Sequence, residues 1–99
     1  MDKIEFVKNC IEVVLKSEKV EDTFKYFTKE TKFYDIEKDS LVSIVDMISE
    51  LKNHKDYKVR FLESAVSVKA VFEKENSTFH VYFEIKRNKV IRLEYASII

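Results

Sequence analysis

Apolar residues in this chain change their spacing near Asp56. Before it they recur every third or fourth position, and from Tyr57 onward every second one. The first spacing marks one face of a helix and the second a strand with one buried side, so helices come first and a sheet last, an α+β layout. The first helix is predicted from Lys3 to about Lys16, with Asp2 as N-cap and Glu5 three residues later in a capping-box arrangement. Ile4, Val7, Ile11, Val14 and Leu15 form its stripe, and Phe6, Cys10 and Val13 widen it until the helix must be covered on two sides. Val20, Phe24 and Phe27 predict a second, short helix between Glu18 and Thr28. A third follows Ser40 as its cap, carries Leu41, Ile44, Val45, Ile48 and Leu51 on one face, and stops at Asn53. Between these two, Lys32 to Ile36 leaves room for a short extra strand.

The second half can be read for register. Phe79, Val81, Phe83 and Ile85 point to one side while His80, Tyr82 and Glu84 point to the other. For Ile91, Leu93 and Tyr95 to join the apolar side, Ile85 must face Ile91 across a three-residue loop of Arg87, Asn88 and Lys89, which sets Glu84 opposite Arg92 as a cross-strand ion pair. The same rule pairs Phe72 with Phe79 around Glu75 and Asn76, and aligns Val66, Val68, Ala70 and Phe72 on the apolar face. Val59 and Phe61 extend that face if the chain turns at Glu63 and Ser64. The expected product is three N-terminal helices packed on a four-stranded antiparallel meander, with residues 1–99 forming one domain.

Composition removes several kinds of chemistry. The chain has no glycine, so phosphate-cradling loops, the dinucleotide turn and the nucleophile elbow are all absent. Lysine plus arginine and aspartate plus glutamate number 18 each, which leaves no net field to recruit nucleic acid or a membrane surface. Neither partner is expected. No apolar run is long enough to span a bilayer, and the charges at Asp2, Lys3, Glu5 and Lys8 are unlike a secretory signal, so a cytoplasmic location is expected. Cys10 is the only cysteine and has only His54 and His80 beside it, a set without metal-ligand spacing, so neither a metal nor another cofactor is expected.

The element order, closing on Lys89-Val-Ile-Arg-Leu-Glu-Tyr95, resembles the nuclear transport factor two-like superfamily, which includes the SnoaL-like cyclases and the steroid delta-isomerases. The resemblance implies a cone-shaped α+β barrel, in which a strongly curved sheet wraps the helices round a pocket. It also implies a homodimer joined through the sheets. In the isomerases an aspartate just after the short strand is the general base, and here Phe33-Tyr34-Asp35 stands in that place. Their oxyanion hole, a first-helix tyrosine with a protonated acid on a late strand, has no counterpart: the matching positions are Asn9 and Cys10, and Val81 and Phe83. A flat-sheeted two-layer arrangement has the same periodicities.

Asp35 is thus the catalytic candidate, set against a reading of it as a turn residue or a partner of a nearby lysine. Tyr26, Tyr34, Tyr57 and Tyr95, with Phe83 on the apolar face, are the candidate ligand-binding residues. Lys69, His80, Tyr82, Glu84 and Arg92, on the polar face, are the candidate dimer surface. The expected function is non-catalytic binding of a small apolar ligand or a protein partner. A small isomerase, dehydratase or cyclase with Asp35 as base is the alternative.

Overall fold

In a computed structural model, which describes residues 2–98, the first helix keeps to its sequence spacing. Helix α1 runs Lys3–Lys16, and the Asp2 carboxylate accepts the Glu5 N–H at 3.2 Å, satisfying one of the donors that a helix start leaves free. Val7, Cys10, Ile11 and Val14 are buried, and Ser17 ends the helix by donating both its N–H and its hydroxyl to the Val14 carbonyl.

The second helix is not formed over its expected length. Only Val20–Thr23 coils, as one 3-10 turn, because the Asp22 carboxylate accepts the N–H groups of Glu18 and Lys19 at 3.2 Å each and satisfies them locally. Phe27 then starts a strand, and Phe24 is left 53% exposed. Three apolar positions over eight residues suit a short helix or a turn entering a strand equally well, and tertiary pairing decides.

Strand β1 is Phe27–Asp35, nine residues where only Lys32 to Ile36 was expected. Strand β2, Ser40–Val42, pairs antiparallel with it, so Ser40 faces Asp35 rather than capping a helix. Helix α2 is Ile44–Lys52, and Ser43 is its cap, accepting the Asp46 N–H at 3.1 Å. Its buried residues are Met47, Ile48 and Leu51, while Leu41 and Val45, expected on the same face, are each 58% exposed.

Strands β3 (Lys58–Glu63), β4 (Ser67–Lys74), β5 (Ser77–Lys86) and β6 (Lys89–Ile98) complete one six-stranded sheet in the order β2-β1-β6-β5-β4-β3. Two α-helices and six strands therefore replace the expected three and four among the described residues. The β1–β6 pair is parallel and all the others are antiparallel, which brings the early strand beside the last one.

Phe72 faces Phe79 and Val59 faces Phe72, as the parity required. Val66 does not join them: it lies in the β3–β4 connection and is 60% exposed. At the β5–β6 hairpin the turn has two residues, Arg87 and Asn88, at φ 54° and 62°, as a type I′ turn requires. Ile85 faces Val90, and the odd residue needed to restore parity is Ile91, which bulges from β6 before Glu84 and Arg92 come opposite each other. The Arg92 guanidinium is not bonded to Glu84. It pairs with Glu94 on its own strand and lies 5.4 Å from the centre of the Tyr34 ring.

Candidate functional site

A cavity opens where β1 departs from β6. From Phe27 opposite Val90, the ladder resumes only at Lys32 opposite Arg92, so β1 spends five residues where β6 spends two. Thr28, Lys29 and Glu30 bulge outward. Thr31 anchors the bulge, its hydroxyl donating to the Val90 carbonyl at 2.6 Å and accepting the Thr28 N–H at 2.9 Å. Val90 in turn donates its N–H to the Tyr26 carbonyl at 2.8 Å. Every backbone group the bulge takes from Val90 is thereby replaced.

The bulge leaves a groove of about 510 Å³ between the 3-10 turn, the first half of β1 and the β2–α2 corner. Val20, Phe24, Phe27, Phe33, Val42 and Ile44 form its apolar wall, with Thr28, Lys29 and Thr31 along one side. That volume lies within the roughly 300–1,000 Å³ of small-molecule sites. Among the described residues no acidic one lines it.

Asp35 is elsewhere, at the far end of β1. It is 5% exposed, stands beside Tyr95 in the parallel register, and accepts the Lys38 N–H at 3.2 Å in the turn between β1 and β2. Tyr95 is 3% exposed, and its hydroxyl is pushed up to about 12, first by burial and then by the charges of Asp35, Glu50 and Asp46.

The other tyrosines scatter. Tyr26 is buried edge-on against Phe6, and burial, with Cys10 and Glu12 nearby, raises its pKa. Tyr34 projects from the opposite side of the sheet and bonds to Asp39, beneath Arg92. Tyr57 meets the Ser77 hydroxyl at 3.3 Å and stands edge-on to His54. Phe83 is fully buried between Val68 and Leu93. None of these five lines the groove. The residues that do were passed over because an isolated Thr-Lys-Glu-Thr segment carries no periodicity, and the bulge it makes depends on pairing with a strand nearly sixty residues away.

Lys69, His80, Tyr82, Glu84 and Arg92 do share one face. Lys69 faces Tyr82, which faces Glu94, and Glu84 faces Arg92, on the side of the sheet away from α1. His80 is held below its ordinary pKa by partial burial and then by Lys69 and Arg60, with Glu73 pulling the other way. His54 has a structural setting: its Nδ1 lies 2.8 Å from the Glu50 carbonyl and its ring stacks on Phe79 at 3.8 Å. Burial raises the Cys10 thiol well above its ordinary pKa, so it stays protonated and unreactive. Among the described residues no group of three or more potential ligands is placed to hold a metal, and no helix is long and apolar enough to cross a membrane.

No protein-family model matches the chain, and no curated protein matches it significantly. Solved structures do. An NTF2-like protein of unknown function from Cytophaga hutchinsonii superposes with a TM-score of 0.70 at 11% identity, over 99% of this chain and 91% of that one. A de novo designed protein with a curved β-sheet gives 0.67 at 21% identity, over 99% and 88% of the two chains. A de novo designed NTF2 fold protein gives 0.57 at 14%, over 97% and 86%. The chain has the NTF2-like cone fold, and the flat-sheeted alternative falls with that finding. At these identities the likeness reaches the fold and stops there, because function belongs to sites built on a fold.

Proposed function

We propose that this domain is a non-catalytic binding module that takes a small apolar molecule in the groove between the 3-10 turn and β1, and that two copies pair through the outer face of the sheet. The lining of the groove carries the first part: six of its nine residues are apolar and none is an acid. A saturable titration with the fluorescent probe N-phenylnaphthylamine tests it. One probe should bind per chain, and Phe24→Ser should weaken binding at least threefold, since about 1.5–3 kcal/mol accompanies full burial of such a side chain and Phe24 is only half covered. Phe24 is exposed enough to be replaced without unfolding the chain. Absence of saturable binding would sink the reading, as would binding indifferent to Phe24.

Catalysis at Asp35 is the second reading, and the buried Asp35–Tyr95 pair supports it, since perturbed ionisable groups gather at active sites. It requires a substrate to reach a carboxylate that lines no part of the groove and is already engaged in the β1–β2 turn. Binding without turnover is the better fit.

A further inference from the structure

The hydrogen-bonding inventory of the groove is lopsided, and it specifies the polar end of the ligand. The Thr31 hydroxyl is spent in both directions, donating to Val90 and accepting from Thr28. Thr28 accepts the Glu30 N–H at 3.2 Å and lies 3.4 Å from the Thr31 hydroxyl. Among the described residues no hydrogen bond or ion pair engages the Lys29 ammonium, as for most lysines of this chain, so its place on the groove is what singles it out. Among the described residues Lys29 is the one ionisable residue lining the groove. It brings three N–H donors, no acceptor and a positive charge.

We infer that the groove takes an amphipathic monocarboxylic acid, its hydrocarbon body against Phe24, Phe33 and Ile44 and its carboxylate paired with Lys29 at the rim. The proposal rests on the preceding reading that an apolar molecule occupies the groove, and adds the sign and place of its head group. Three features support it. A ligand with an ammonium head would meet like charge at Lys29. Lys29 is exposed and lies in the unpaired stretch of β1 that borders the apolar wall, so an acid could bury its chain while its head stays partly hydrated, which lowers the cost of binding an ion. With an overall net charge of zero, selection for an anion must come from this local cation and not from a global field.

Decanoate, decanol and decylamine share a ten-carbon chain and differ in the head group, so displacement of the naphthylamine probe by each, in the native protein and in Lys29→Met, separates the two levels of inference. Decanoate is expected to displace best. Lys29→Met should weaken decanoate about three- to tenfold, the range of a partly exposed charged pair, and leave decanol unchanged. Raising the salt concentration should weaken decanoate alone. Equal loss of decanoate and decanol in Lys29→Met would overturn the head-group assignment while leaving apolar binding intact, and so would decylamine displacing as well as decanoate. If no ten-carbon ligand displaces the probe and the probe itself does not bind, the reading of the groove fails, and this inference with it.

Discussion

Tyr95 and Asp35 are buried polar residues opposite each other in the β1–β6 register, and each can be tested alone. Because the Tyr95 hydroxyl is raised from an ordinary value near 10 to about 12, the neutral form is the one the folded state favours. Its folded pKa lies above its unfolded one, so the associated stability is complete below pH 10 and is lost between about 10 and 12. The loss is on the order of 2 kcal/mol. Urea unfolding at successive alkaline pH values should show that decline, and Tyr95→Phe should flatten it. Asp35→Asn removes one of the charges acting on Tyr95 but keeps an oxygen for the Lys38 N–H. Stability should change by less than about 0.5 kcal/mol, while the absorbance titration of Tyr95 shifts toward lower pH. Asp35→Ala, which strands that N–H, should cost about 1 kcal/mol. If the asparagine variant leaves the Tyr95 titration unmoved, the two groups are not coupled.

At the scale of single elements, the caps and turns test where each one starts. Ser43→Ala should cost about 1 kcal/mol by removing the acceptor for the Asp46 N–H, whereas Ser40→Ala, on an exposed strand, should cost less than about 0.5 kcal/mol. Thermal unfolding of the two variants checks this. Arg87→Gly should stabilise by about 0.5 kcal/mol or more, because φ 54° disfavours any residue with a Cβ and this chain has no glycine to put there. The same elements show what a single sequence can and cannot carry. Helix α1 was legible because a cap and a wide apolar stripe agree over fourteen residues. The start of α2 was not, because Ser40 and Ser43 are chemically alike and Leu41 fits either a helical face or a strand edge. Only the pairing of β2 with β1 separates them. The β5–β6 hairpin shows a subtler limit. Parity demanded one odd residue, which a three-residue loop or a bulge at Ile91 supplies equally, so Glu84 comes opposite Arg92 either way although Ile85 faces Val90. The groove was the least legible part, since its rim comes from a bulge with no local signature and its tyrosine candidates were chosen for their hydroxyls rather than for position.

For the whole molecule, the open question is what covers the outer sheet face. Tyr82 and Leu62 are 48% and 49% exposed there, flanking Lys69, which both strands place between them. In the proposed homodimer these apolar side chains would lie near the centre, with Arg92, Glu84 and Glu94 forming a charged surround, the arrangement usual for an interface. Tyr82→Ala should then raise the dimer dissociation constant about tenfold or more, with each chain still folded, as measured by sedimentation equilibrium. In that proposed homodimer, His80 would make the pairing sensitive to pH in a defined direction. Its pKa is lowered, so the folded chain favours neutral imidazole, and the associated stability is present in full above about 6.5 and is lost as pH falls below that. Partial exposure keeps this effect small in the monomer. In a dimer the cost grows, because protonation adds a third cation beside Lys69 and Arg60 on a surface that association would desolvate, opposed only by Glu73. The dimer should therefore weaken about three- to tenfold between neutral pH and pH 5.5, and His80→Gln should remove most of that dependence while leaving the neutral-pH affinity within about twofold. A protein that sediments as a monomer at neutral pH and high concentration would rule out the pairing. A dimer indifferent to both Tyr82 and pH would place the interface on another face of the cone.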